Sequence, residues 1–523
     1  MKKEKLKYNL VQIIGDSASE FPDKEAFSFL NESISFKDLD MKSSQLAHYL
    51  VKLGVKKGDR VGILMPRCLE TCIAVYGILK SGAAYVPIDP FLPNERANFL
   101  IQDCGIEHVI TVPKQSKKIK KLISESNTIT SIVGVSVEDF NSISWNSIFE
   151  TSIKDYKPVT ILGEDLSYIL YTSGTTGTPK GIMHTHSSAL AFAELVVDLY
   201  DFRSTDKVAN VAPLHFDPSV LGYFSAPMAG ATTVIIPDAH LKFPVSLADL
   251  MEKEKLTIWF SVPLVLVQLM LNGGIEKKNF LSLRWVLFSG EVFPTKQLRA
   301  LMKIWPHAEY SNIYGPTELN QCTNYNLSTP PIGDATIPIG TTWGNTEYKI
   351  LDKNDNEVTT GNEGLLVVRS ATMMKGYWNN KVLTEKTLYK EVLVPGYEHV
   401  YYRTGDLVKL NNQGELLFLG RKDRQIKFRG FRIEIDEIEN TFLKHDQILE
   451  AAVFLENEND EQKLIAAVLL HKGSEVTSID LKKHANKFLP AYAVPEIIKV
   501  LDAFPRTSSG KVNRKDIANN IRP

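Results

Sequence analysis

Tyr171-Thr-Ser-Gly-Thr-Thr-Gly-Thr-Pro-Lys-Gly181 is the strongest local signal in the chain. Hydroxyls, glycines and one lysine at this density make a loop whose backbone N–H groups can wrap an anion. The run Ser167–Ser173 reads as the strand entering it, and Ser188–Leu199 as the helix that follows. It differs from a Walker A loop, because Lys180 follows Pro179 and Gly181 replaces the metal-binding Ser/Thr. Taken alone, it can also be read as a solvent-facing Ser/Thr/Gly loop. Upstream, Arg60–Met65 reads as a buried strand, Leu69–Leu79 as a helix and Ala83–Ile88 as a second strand, and Thr232–Ile236 repeats the strand pattern further on. This β-α-β rhythm predicts an α/β fold: a large N-terminal domain of β-α-β layers with parallel sheets.

The chain has 523 residues, and at roughly 150 residues per domain that predicts several folding units, or one large body with an appendage. Hydrophobic residues make up 44% and charged residues 23%, which excludes disorder and collagen. Lys+Arg 60 against Asp+Glu 61 leaves no global basic field, so neither nucleic acid nor an anionic membrane is expected as a partner. The lysine-rich run Pro113–Leu122 is expected to be a solvated surface segment. Cys68, Cys72, Cys104 and Cys322 are too scattered for a disulfide framework, and a cytoplasmic location is the simplest expectation. The N-terminus never delivers a signal-peptide core, and Pro263 and Gln268 interrupt the longest apolar stretch, around Val262–Leu271.

A change in pattern comes near Gly420. Beyond it the chain reads helix (Ile435–Lys444), two strands (Leu449–Leu455 and Leu464–Leu470), helix (Ile479–Leu489) and strand (Ile497–Leu501). The expected division is a large domain, residues 1–421, and a small mobile α+β C-terminal domain, residues 422–523.

The opening loop is one of five motifs in order. The others are Asn312-Ile-Tyr-Gly-Pro-Thr-Glu318, Tyr402-Arg-Thr-Gly-Asp406, Gly420-Arg-Lys-Asp-Arg-Gln-Ile-Lys-Phe-Arg-Gly430 and Arg506-Thr-Ser-Ser-Gly-Lys511. Together they closely resemble the adenylate-forming superfamily, which includes acyl-CoA synthetases, luciferases and the adenylation domains of nonribosomal peptide synthetases. The resemblance implies attack of a carboxylate on the α-phosphorus of ATP, giving an acyl-adenylate and pyrophosphate. Two anions meet in that step, so it needs positive charge and oriented donors. By the same resemblance Lys511, Glu318 and Thr176 are catalytic. Thr172, Ser173, Gly174, Thr175, Thr176, Lys180, Gly290, Glu291, Asn312, Tyr314, Gly315, Thr317, Asp406, Arg421 and Lys511 hold the nucleotide. Glu318 is the Mg²⁺ ligand, carboxylate oxygen suiting a hard cation, and Asp423 is the hinge.

His215-Phe-Asp-Pro-Ser-Val220 bears on the acid that is activated. Burying an unpaired α-ammonium is very costly, so a carboxylate must meet it. Asp217 stands where amino-acid-activating members carry their ammonium-binding aspartate; the plainer alternative is a helix N-cap before Pro218. Tyr85-Val-Pro-Ile-Asp-Pro90 and Pro93-Asn-Glu-Arg96 also resemble the amino-acid subfamily more than the CoA ligases. The pocket positions carried over are Phe216, Asp217, Pro218, Leu221, Phe260, Leu287, Ser289, Ile313, Gln321 and Cys322. This largely apolar set is similar to that of stand-alone L-proline–carrier protein ligases, with D-alanine–carrier protein ligases as the alternative and acyl- or aryl-CoA synthetases behind them. The chain ends 12 residues after Lys511. The expectation is therefore a free-standing enzyme that passes its amino acid to the phosphopantetheine of a separate carrier protein.

Overall fold

In the computed structural model, which describes residues 6–174, 178–458, 461–506 and 513–521, the β-α-β rhythm closes into two large sheets. The first has eight strands. Arg60–Leu64, Ala84–Pro87, His108–Thr111, Ser131–Gly134, Ser142–Ser144 and Leu166–Thr172 run parallel. The second has nine strands, and its parallel centre includes Lys207–Asn210, Ile258–Ser261, Trp285–Phe288 and Glu309–Tyr314. Apolar side chains of both sheets share one core with the helices between them: Ile63, Tyr85 and Leu170 from the first, Phe27, Phe260 and Leu287 from the second. Helices Phe36–Lys52 and Glu70–Lys80 belong to that layer and touch closely at Gly77. A Cβ there would lie 2.5 Å from Leu46 Cδ2, so only glycine permits the approach. Further helices cover the outer faces, giving layered α/β architecture.

The chain does not run from the Ser/Thr/Gly loop directly into a helix. Lys180–Thr185 first returns as a strand antiparallel to Leu166–Thr172, with Thr172 opposite Lys180. Helix His186–Leu199 follows, capped by Thr185 and Ser188, whose side chains each bond the other's backbone N–H. The loop thus joins two antiparallel strands, and no helix starts directly after it. Ile182 and His184 are buried on this returning strand, which is why it pairs instead of coiling. Another feature absent from the β-α-β reading is an antiparallel sheet of Thr346–Leu351, Gly364–Ser370, Leu388–Val394, Tyr397–Leu410 and Leu416–Arg421.

After Arg421 the chain enters a smaller α+β domain. A two-stranded ribbon, Gln425–Phe428 with Phe431–Glu434, leads to helix Ile435–Leu443. Strands Ile448–Glu458, Glu461–Leu470 and Ile497–Leu501 form its sheet, with helices Ser478–Phe488 and Arg514–Ile521. Phe428, Ile438, Phe442, Val453, Ala466 and Leu481 make a core of its own. The lysine-rich run is not wholly solvated. It forms a turn and helix Ser116–Glu125 that buries Ile119 and Leu122, and Lys118 Nζ donates to the Pro90 carbonyl at 2.8 Å. Among the described residues no helix is long and apolar enough to cross a membrane.

Candidate active site

Three adjacent parallel strands end together at the site. Phe260 is in register with Leu287, and Leu287 with Ser311. Side chains two apart share a strand face, so Phe260, Leu287 and Ile313 point into the same inter-sheet core, where Leu221 joins them. Ser289, Gln321 and Cys322 are buried nearby in sequence, and the Cys322 N–H donates to the Tyr314 carbonyl at 2.8 Å. Gln321 is 3% exposed, and its carboxamide oxygen has no hydrogen-bond partner among the described residues. Asp217, partly buried beside Phe216 and Pro218, accepts a 3.1 Å hydrogen bond from the Thr317 hydroxyl. Burial pushes its carboxyl up to about 6, against the lowering effect of that bond.

Glu318 is 0% exposed. One oxygen accepts from Lys180 Nζ at 3.2 Å and the Tyr377 hydroxyl at 2.7 Å; the other accepts from Arg432 at 2.7 Å. Burial alone would raise its pKa, but the Arg432 guanidinium and the Lys180 ammonium hold it well below the usual carboxylate range. Arg432 belongs to the small domain. Its ribbon is seated on the large domain by two more bonds: the Ser173 hydroxyl donates to the Arg432 carbonyl at 3.0 Å, and the Gly430 N–H donates to Glu291 at 2.6 Å. Gly430 has φ +82, and a Cβ on it would come within 2.5 Å of Val262. Aromatic rings line the same contact, with Phe431 stacked on Tyr492 at 4.0 Å and 5.5 Å from Phe216.

Five of the residues expected to hold the nucleotide, Gly290, Glu291, Asn312, Tyr314 and Arg421, line one cleft of about 1220 Å³ together with Lys427, while Thr172, Ser173, Gly174, Lys180, Gly315, Thr317 and Asp406 are not part of its lining. Their side chains are already tied to one another. Tyr314 donates its hydroxyl to Asp406, whose other oxygen accepts from Arg421 at 2.6 Å. Arg421 also grips Asp423 through two 2.6 Å bonds. The Asn312 amide donates to the Pro338 carbonyl at 2.7 Å. Lys427 Nζ sits 5.6 Å above the Tyr314 ring, on a flat surface expected to take adenine. The buried Thr172 hydroxyl has no partner among the described residues, and Gly174 and Gly315 are glycines against backbone, a Cβ meeting Thr178 O at 2.0 Å and Gln321 Cα at 2.5 Å. Lys511, Thr175 and Thr176 lie outside the described residues.

The arrangement therefore links Asp217 to Thr317, and the adjoining Glu318 to Lys180, in one cluster. Sequence reading missed Arg432, two residues past the end of the fourth motif, and Tyr377, which no motif marks. Glu318 fits a Mg²⁺ carried by phosphates, since that ion takes one or two protein carboxylates and keeps waters. It can serve only when Arg432 withdraws, because the guanidinium and ammonium here use both carboxylate oxygens.

Comparison with known proteins agrees with this architecture. The model of the AMP-binding enzyme family matches residues 14–378, and that of the AMP-binding enzyme C-terminal domain matches residues 437–511. An L-proline--[L-prolyl-carrier protein] ligase of Pseudomonas fluorescens (strain Pf-5) is 32% identical over 97% of this chain and 98% of its own length. A ligase of the same name from Streptomyces coelicolor is 30% identical over 98% of this chain and 97% of its own. The solved structure of NpsA-ThdA, an artificially fused adenylation–PCP di-domain NRPS from Klebsiella oxytoca, shares the fold with a TM-score of 0.80 at 23% identity, covering 95% of this chain and 94% of that one. Five ordered motifs, two layered sheets with a smaller C-terminal domain, and matches along nearly the whole length show that the chain belongs to the AMP-binding enzyme family and is an AMP-forming ligase.

Proposed function

We propose that this ligase activates L-proline with ATP and passes the prolyl group to the phosphopantetheine thiol of a separate, free-standing carrier protein. The observation that carries the reading is Asp217, a partly buried carboxylate that accepts from Thr317 beside Glu318 and stands four residues before Leu221 of the apolar core. The secondary ammonium of proline would give Asp217 two N–H donors, and its ring would lie against Leu221, Phe260, Leu287 and Ile313 without needing a polar partner. The names of two full-length relatives support the same substrate.

In this reading the substrate carboxylate attacks the α-phosphorus, the acyl–phosphate bond forms and pyrophosphate leaves. Lys180 and the loop N–H groups would take phosphate charge, and Lys511 would bridge carboxylate and phosphate. Glu318 would hold Mg²⁺, which supplies charge neutralisation of the phosphates. Asp406, Arg421, Asn312 and Tyr314 would position the nucleoside, once Tyr314 is uncovered by Lys427. The domain boundary is taken at 421/422.

The test is amino-acid-dependent pyrophosphate exchange with L-proline, D-alanine, L-valine and a short fatty acid under identical conditions. L-Proline should be preferred, with leakage to near isosteres, because an apolar pocket discriminates a single methylene by only about 1–3 kcal/mol. A preference for D-alanine would reassign the substrate, and a preference for the fatty acid would overturn the role of Asp217.

A further inference from the structure

The segment Pro93–Arg96 has no place among the nucleotide or amino-acid positions. In the fold it opens helix Asn94–Asp103 of the large domain, which packs against helix Ser478–Phe488 of the small one. Arg96 Nη1 lies 2.6 Å from Glu437 Oε1, with side chains 10% and 4% exposed. Glu437 stands on helix Ile435–Leu443, directly after the ribbon strand Phe431–Glu434 that delivers Arg432 to Glu318. Beside Arg432–Glu318, this is a second largely buried ion pair crossing between the domains. Both charges are largely out of water where the domains meet, and rotation of the small domain would separate them.

We infer that Arg96 and Glu437 form the clasp that selects this domain orientation, and that they are positioning residues for thioester formation and not for adenylation. The inference rests on the reading above. With Arg432 and Lys180 on Glu318, both oxygens of that carboxylate are taken, so this orientation does not suit the adenylation step. What it brings to the amino-acid side is the Gly430 ribbon and the Phe216–Phe431–Tyr492 rings. The step it serves is transfer. The thiol sulfur bonds to the acyl carbon, the acyl–phosphate C–O bond breaks, AMP leaves with the bonding electron pair, and the thiol proton passes to solvent. The Arg96–Glu437 pair uses neither the expected nucleotide residues nor Asp217, so its loss perturbs orientation alone.

The experiment compares Arg96→Glu, Glu437→Arg and the double exchange in the full chain. Two rates are read: L-proline-dependent pyrophosphate exchange, and prolyl thioester formation on free pantetheine. Each single variant should lose about tenfold or more in thioester rate while exchange stays within about twofold, and the double variant should recover much of the loss. A dye pair on Val382→Cys and Ile479→Cys, positions 81% and 67% exposed on the two domains, reads the orientation without substrate. Its distribution should shift in each single variant and return in the double. Intact transfer in the singles, parallel loss of both rates, or no recovery in the double would overturn the clasp; the last would place Arg96 on the pantetheine itself. A wild-type enzyme with no L-proline exchange would defeat the substrate reading, while the dye pair would still decide the clasp.

Discussion

Asp217 faces opposite demands in the empty and the loaded site. Empty, it is a buried carboxylate held by the Thr317 hydroxyl, and burial pushes it up to about 6. Loaded, an α-ammonium would favour the charged form and pull the value back down. The amino-acid KM should therefore rise as pH falls below about 6, with the ATP KM unmoved, because the protonated carboxyl offers the ammonium no charge. The same shift is a stability statement. Its folded pKa lies above the ordinary aspartate value, so between the two the folded state holds more protons and stability falls as pH rises. Above pH 6 the penalty is full, at most about 3 kcal/mol. Asp217→Asn, which keeps an acceptor for Thr317, should raise Tm at pH 7 and leave it nearly unchanged at pH 4, while crippling amino-acid use. A variant that gains no stability at pH 7, or that keeps the wild-type amino-acid KM, would remove the carboxylate from this role.

At the scale of elements, the ribbon Gln425–Glu434 makes one contact between domains, and Gly430 at its tip is where a side chain cannot fit. Gly430→Ala faces a left-handed φ, costing about 1 kcal/mol, and a Cβ 2.5 Å from Val262 Cγ1. Thioester formation should fall while exchange persists, and Val262→Ala should restore part of the loss by removing the clash but not the backbone strain. Equal loss of exchange would count against the ribbon acting after adenylation. Such contacts explain which parts of the fold were legible in the chain. Arg60–Leu64, Glu70–Lys80 and the small domain's helices Ile435–Leu443 and Ser478–Phe488 carry their own periodicity, so local pattern finds them within a residue or two, whereas sequence reading missed helix Arg514–Ile521. The strand Lys180–Thr185 lies within a run of mixed polarity and forms because Leu166–Thr172 is there to pair with it. The antiparallel sheet over 346–421 depends likewise on partners far along the chain. At the site, the motifs led to Glu318, Lys180 and Asp217, which come together. Arg432 and Tyr377 escaped because their place at Glu318 exists only once two domains, or two distant segments, have packed.

For the whole molecule, the two half-reactions of the proposed function would have different requirements at one site and would call for two orientations of the small domain, with the connection at Asp423 proposed to absorb the change. Asp423 is exposed, yet its carboxylate clamps Arg421, which in turn holds Asp406. Substitution there removes a clamp as well as altering the backbone, so two variants are needed. Asp423→Ala loses the clamp but leaves φ and ψ free. It should retain exchange and thioester formation, both at reduced rate, since Arg421 and Asp406 still pair. Asp423→Pro loses the same clamp and also fixes φ near −65°. It should keep exchange at the level of the Ala variant while thioester formation on pantetheine falls much further. The informative quantity is the ratio of the two rates: unchanged from wild type in Ala and collapsed in Pro if the domain must turn about this residue. If both rates fall together in Pro, to the same extent as in Ala, the two half-reactions share one orientation and the Arg432–Glu318 pair must open by some local movement of the ribbon.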